Sequence, residues 1–125
     1  MLVSIPVTTK VFENADPAKW KKHLFGLPPE RWDFLSGLSF WITGAGTGYG
    51  RSLSCALAAA GAQVFLTGRR VEKLKESLAE MSSFGINAEK CHLIPADLTC
   101  EEDIIRASNT VRKLCRELNG LVNNA

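Results

Sequence analysis

The sequence predicts an α/β domain, a doubly wound parallel sheet with about four strands and three crossover helices. Three observations point to it. Short apolar runs alternate with stretches whose apolar residues recur at helical spacing, from Leu38 to Val122. Such alternation builds a parallel sheet with right-handed crossovers and helices on both faces. A glycine-rich segment, Gly44 to Gly50, lies directly between the first apolar run and the first helical stretch. And 125 residues at 46% hydrophobic and 22% charged make one globular domain, not a disordered chain.

The elements follow in order. Leu38-Ser39-Phe40-Trp41-Ile42-Thr43 reads as the first strand, and the Ala-rich stretch from Tyr49 to Ala60 as the first crossover helix. Gln63-Val64-Phe65-Leu66-Thr67, β-branched and aromatic, is the second strand, closed by Gly68. Val71, Leu74, Leu78 and Met81 stripe a second helix that Gly85 ends. His92-Leu93-Ile94-Pro95 reads as the third strand. Ile104, Ala107, Val111, Leu114 and Leu118 mark a third helix, with Thr99 as its N-cap and Glu102 three residues on. Gly120-Leu121-Val122 opens a fourth strand, on which the chain stops. The apolar stripes are expected to be core packing, and the last strand to leave an open edge and an uncovered apolar face. The sheet is therefore expected to be incomplete, truncated at its C-terminal side.

Residues 1–37 form an N-terminal extension to this domain, which spans 38–125. They hold four of the five prolines. Asp16-Pro17 suits a helix start, and Pro28-Pro29-Glu30 starts a second short helix. Lys19-Trp20-Lys21-Lys22-His23-Leu24-Phe25 mixes basic and aromatic residues. Packing on the domain or a subunit contact suits so short a stretch better than a membrane-surface helix.

Composition narrows the partners. A net charge of +2, from 15 basic and 13 acidic residues, gives no warrant for nucleic-acid binding. No apolar run approaches the ~18 residues of a membrane span, and Met1–Lys10 lacks the layout of a secretory signal. Cys55, Cys91, Cys100 and Cys115 form no C-x-x-C pair and the two histidines are far apart, so no metal site is expected. Scattered single cysteines suit a reducing compartment, which places the chain in the cytoplasm.

The informative segment is Thr43-Gly44-Ala45-Gly46-Thr47-Gly48-Tyr49-Gly50. Glycine lets a backbone approach a ligand closely, and the amides of a following helix N-terminus carry about half a positive charge. A pyrophosphate is the natural occupant. G-x-G-x-x-G does not fit, because the third glycine would fall at Tyr49 or Arg51, and no G-K-[ST] of a kinase-type phosphate loop is present. T-G-x-x-x-G-x-G does fit.

That pattern resembles the short-chain dehydrogenase/reductase family, whose Rossmann-like domain holds its cofactor pyrophosphate on this loop. Two further motifs stand in register with it. Asp97, in Ala96-Asp97-Leu98-Thr99, matches the aspartate that the family sets against the adenine ring. Asn123-Asn124-Ala125 matches the start of the family's N-N-A-G signature. The resemblance covers Leu38–Ala125, the first half of a family domain. It implies cofactor contacts by Thr43, Gly44, Gly46, Thr47, Gly48, Tyr49 and Gly50, then by Asp97 and Leu98, and by Asn123, Asn124 and Ala125. Tyr49 replaces the family's usual aliphatic residue and is expected to border the nicotinamide end.

The end of the second strand reads the cofactor's ribose. NAD-binding chains usually offer a carboxylate there, whereas this chain offers Gly68-Arg69-Arg70. An arginine fork grips a 2′-phosphate through charge-assisted hydrogen bonds, and in the family an arginine matching Arg69 goes with NADP. The expected cofactor is NADP in preference to NAD.

The resemblance implies an oxidoreductase moving a hydride between NADP(H) and a small carbonyl or alcohol substrate, homo-oligomeric when complete. A non-catalytic dinucleotide-binding module is the alternative, with a SAM-binding methyltransferase a distant third. The family's chemistry needs a tyrosine acid and a lysine four residues later. Tyr49 is the one tyrosine and Leu53 stands four beyond it, so no catalytic residue is expected in this stretch.

Overall fold

The computed structural model describes residues 29–124. The leading segment's expected helix at Asp16-Pro17 and the Lys19–Phe25 stretch lie outside these residues, as does Ala125. A short helix α1 (Pro29–Trp32) and a 3₁₀ turn (Asp33–Leu35) come first. Trp32, at 6% exposed, is already part of the main core. Then β1 (Ser39–Thr43), α2 (Gly48–Ala59), β2 (Gln63–Thr67), α3 (Val71–Ser83), β3 (Cys91–Leu93), α4 (Glu101–Leu114) and β4 (Gly120–Val122) alternate as the sequence pattern requires.

The four strands form one parallel sheet of order β3-β2-β1-β4. β1 is central, with Ile42 paired to Leu66 on one side and Val122 on the other. One face, carrying Ile42, Val64 and Leu66, is closed by α2 and α3. Four alanines of α2 and its C-cap, Ala56, Ala58, Ala59 and Ala60, let the helix backbone lie close to the sheet. The other face, with Phe65 and Trp41, packs against Ala107 and Val111 of α4. Helices on both faces make the sheet doubly wound. α2 and α3 both end in Schellman turns, with Ala62 N–H donating to Leu57 O (3.1 Å) and Ile86 N–H to Met81 O (2.9 Å).

Several boundaries differ from the sequence expectation. β1 starts at Ser39, not Leu38, and α2 starts one residue early. β3 runs Cys91–Leu93 rather than from His92 to Pro95, because only these three residues pair in register with Val64–Leu66 of β2; beyond them Ile94 N–H still donates to Leu66 O (2.8 Å) and Ala96 N–H to Gly68 O (3.0 Å). α4 stops at Leu114, short of Leu118: Cys115 turns extended, and Leu114 O accepts from the Gln63 side chain. That turn frees Asn119 to exchange two hydrogen bonds with Ser39, both 2.8 Å, which set β4 beside β1.

The apolar stripe of α4 is also less buried than core packing would require. Ala107 and Val111 are buried, but Ile104 and Leu114 are 39% and 42% exposed. Leu121 of the edge strand β4 is exposed as well.

Candidate functional site

Because all four strands are parallel, their C-terminal ends share one edge, and the loops at 44–47, 68–70, 94–100 and 123–124 converge there. The chain builds outward from β1 to β2 and β3, then crosses back to place β4 on β1's other side. The crevice at such a reversal is where open α/β sheets bind ligands.

The glycine loop leaves β1 at this point. Gly44 has φ +62°, and a Cβ on it would come 2.3 Å from Asn124 O, so only glycine passes. The buried Thr43 hydroxyl knits the two strand ends together, accepting from Asn124 N–H (2.8 Å) and donating to Val122 O (3.2 Å). The Asn124 side-chain amide donates to Gly44 O (3.4 Å). Thr43 and Asn124 thus position the loop. Asn123 is exposed beside them.

Past Gly44 the loop is pinned from behind. Ala45 N–H donates to Thr67 O (3.0 Å), and Ala45 O accepts from the buried Ser77 hydroxyl (2.7 Å). Gly46 packs on α3, where a Cβ would meet Lys73 Cβ at 2.9 Å. Gly46 O accepts from Arg51 Nη2. Thr47 is the N-cap of α2, with an exposed side chain that makes no capping bond. The amides of Gly48, Tyr49 and Gly50 open the helix, where no earlier turn exists to accept from them. Tyr49 projects into solvent at 81% exposed, clear of the loop.

Beside the loop, a cleft of about 320 Å³ is lined by Gly44, Gly68, Arg69, Ala96, Asp97, Leu98 and Thr99. Arg69 belongs to this cleft. Arg70 does not line it and serves as the N-cap residue of α3. Across the cleft, Asp97 Oδ1 accepts from both Thr99 Oγ1 (2.7 Å) and Thr99 N–H (2.9 Å). Those bonds, the hydroxyl's foremost, hold the Asp97 carboxyl below its ordinary range, and the positive charge of Arg69 adds to the effect. Thr99 is therefore committed to Asp97 and does not cap α4. The N-cap is Cys100, without a side-chain bond.

The structure thus brings the motif residues at 43–50, Arg69, Asp97, Leu98, Asn123 and Asn124 to one edge. It adds three that sequence reasoning missed. Arg51 and Ser77 hold the loop's carbonyls, and Asp103 Oδ2 accepts from Asp97 N–H (2.8 Å) while pairing with Arg106 (3.1 Å). Among the described residues no cluster of three His, Cys, Asp or Glu side chains could hold a metal, and no helix is long and apolar enough to cross a membrane.

A parallel sheet of this order, with a glycine loop at the switch point between β1 and β4, defines a Rossmann-type α/β domain. The family model for short chain dehydrogenases matches residues 40–125, and the chain belongs to that family. It is 35% identical over 96 residues to the short-chain dehydrogenase/reductase prx1 of Penicillium roqueforti, covering 77% of this chain and 27% of that protein. Among solved structures, a short-chain dehydrogenase/reductase of Caenorhabditis elegans with cofactor superposes with a TM-score of 0.67 at 32% identity, over 73% of this chain and 34% of that one. A metagenomic short-chain oxidoreductase in complex with NADP does so with a TM-score of 0.65 at 33% identity, over 73% of this chain and 40% of that one. The chain thus spans between about a quarter and two-fifths of the length of these relatives.

Proposed function

We propose that residues 38–125 are the NADP-binding half of a short-chain oxidoreductase, preceded by an extension over 1–37. The observation that carries this is the pairing of a pinned glycine loop with a cleft that has Arg69 on one wall and Asp97 on the other. The arrangement fits a dinucleotide in three places. The helix-opening amides of Gly48, Tyr49 and Gly50 suit the pyrophosphate. Asp97, kept ionised, and the Leu98 amide offer an acceptor and a donor to an adenine edge. Arg69 suits a 2′-phosphate, and the cleft wall formed by Gly68 and Arg69 offers no carboxylate to a 2′-hydroxyl.

When bound, the cofactor supplies hydride chemistry at a carbonyl or alcohol carbon. The chain's own residues bind and orient it: Thr43 and Asn124 fix the loop to β4, and Asp103 fixes the Asp97 turn. The acid that protonates the substrate oxygen would come from outside these 125 residues, since Tyr49 is on the loop with Leu53 four positions on. A small carbonyl or alcohol substrate, assembly into a homo-oligomer and a cytoplasmic location belong to the same reading. The resemblance to an NADP complex supports the choice of cofactor.

The test is an equilibrium titration of NADP⁺ and NAD⁺ on the natural full-length protein and on Arg69→Ala. Charged hydrogen bonds contribute about 1.5–3 kcal/mol, so NADP⁺ should bind at least tenfold tighter than NAD⁺. The variant should lose that margin while keeping its NAD⁺ affinity. Equal affinities in the wild type, or an unselective loss in the variant, would refute the assignment.

A further inference from the structure

The glycine loop carries four glycines within seven residues, Gly44, Gly46, Gly48 and Gly50. Such a segment has the most backbone freedom to lose when it binds. Left to itself it would sample peptide orientations that present carbonyls as well as amides to an anion. Two carbonyls, those of Ala45 and Gly46, are instead turned toward α3 and held there. The holding group is a single unit. Ser77, fully buried, donates its hydroxyl hydrogen to Ala45 O (2.7 Å) and accepts from Arg51 Nε (3.1 Å). Arg51 Nη2 donates to Gly46 O and approaches Lys73 O (3.4 Å). Arg51 springs from the first turn of α2, immediately after the last loop glycine, so its side chain folds back beneath the loop it follows.

We infer that Arg51 and Ser77 are positioning residues for pyrophosphate binding, which fix the loop carbonyls on α3 so that the loop amides stay presented at the strand edge. The inference rests on the cofactor reading above. Neither side chain lines the Arg69–Asp97 cleft. Their effect therefore falls on the part common to NADP and NAD, not on the 2′-phosphate that tells them apart. A plainer role exists for Arg51, as partner to Glu76 (3.1 Å) and Glu80 (3.7 Å) on α3. Those carboxylates are on the solvent side, and Glu76 is half exposed, where ion pairs contribute little.

Three ligands and four variants separate these roles. In Arg51→Met, affinity for NADP⁺ and for NAD⁺ should fall by the same factor, about tenfold. Affinity for adenosine 2′-monophosphate, which has the 2′-phosphate and no pyrophosphate, should stay unchanged. Ser77→Ala should repeat the pattern more mildly, and the double variant should be little worse than Arg51→Met, since both act as one unit. Glu76→Gln, which removes an ion pair but no carbonyl contact, should bind all three ligands as the wild type does.

Amide hydrogen exchange at positions 45 and 51, whose N–H groups donate to Thr67 O (3.0 Å) and Thr47 O (3.2 Å), reads the clamp with no ligand present, and should quicken in Arg51→Met and Ser77→Ala. Unchanged exchange in variants with wild-type melts overturns the inference. So does a loss of adenosine 2′-monophosphate in step with the dinucleotides, or a Glu76→Gln variant as weak as Arg51→Met. If the wild type binds no dinucleotide, the cofactor reading fails and takes the pyrophosphate role with it. The exchange rates would then still report whether the clamp orders the loop.

Discussion

Gly50→Ala probes the loop where it has least room. Gly50 sits on the first turn of α2, and a Cβ there would lie 2.1 Å from Gly44 O, 2.7 Å from Gly44 C and 2.8 Å from Asn124 Nδ2. Carbon atoms reach their best contact near ~3.5 Å, so loop and helix must part by more than ~1 Å. Neither neighbour yields cheaply. Gly44 O is backbone, and Asn124 is tied through its own N–H to Thr43 Oγ1 at 2.8 Å. Overpacking of this kind costs about 1–3 kcal/mol, which for a domain of this size lowers Tm by roughly 4–20 °C. The same displacement of the helix-opening amides should weaken NADP⁺ binding by about ten- to a hundredfold. Gly48→Asn is the matched control. Gly48 has φ +54° and nothing within 4 Å of a Cβ, so its glycine serves conformation and not space. Asparagine tolerates that conformation, and the variant should stay within ~1 kcal/mol of wild type. Scanning calorimetry with an NADP⁺ titration decides. A Gly50→Ala chain that melts and binds like the wild type would refute the close packing of loop against β4.

Other perturbations have equally definite outcomes. Thr43→Val leaves the Asn124 N–H without its acceptor in a buried site, and should cost about 1–3 kcal/mol in denaturant melts. A variant as stable as wild type would mean that the hydroxyl does not join the strand ends. Glu76 has its carboxyl pKa lowered by hydrogen bonds from Arg51 first and Lys73 second. Its contribution is therefore present above the ordinary glutamate value and lost as pH falls through the lower folded value. Tm should drop on acidification below about pH 4.5, and part of that slope should vanish in Glu76→Gln. An identical slope in the variant would show that Glu76 carries none of it. Burial pushes the Cys55 and Cys91 thiols up to about 12, so the buried Cys55 should not react with a thiol reagent at pH 8 until denaturant is added, and the half-buried Cys91 should react only slowly. Rapid labelling of either in the folded chain would contradict the core packing.

How much of this was legible in the sequence differs from element to element. β2 is legible at its true ends, because a β-branched and aromatic run bounded by glycine has few alternative readings, whereas β4 starts at Gly120 as expected but ends at Val122, short of the Asn123-Asn124-Ala125 signature expected as its end. The third strand starts one residue earlier and ends two earlier than the pattern suggests, since only three residues pair and the pairing partner, not the local pattern, decides which three. The end of α4 was overshot because Leu118 kept helical spacing. The tertiary demand that Asn119 reach Ser39 outweighed it. The motif residues converged as their order implied, because parallel strands put every exit loop on one edge. Arg51 and Ser77 stayed hidden for a physical reason. An arginine in a first turn looks like a solvated cation, and the carbonyls it serves are on a loop whose path no pattern reveals. One signal was available. Ser77 interrupts the buried stripe formed by Leu74 and Met81 on α3, and a buried hydroxyl must have a partner.

The most direct test of the account maps NADP⁺ on the backbone amides of the natural full-length protein by nuclear magnetic resonance. The account predicts the largest shift changes at the amides of Gly46 to Gly50, at Arg69 and at Leu98, with Arg69→Ala silencing the response at 68–70 while the loop still responds. Changes gathered instead on the outer face of α4, around Ile105 and Asn109, or no saturable change at the glycine loop, would contradict it.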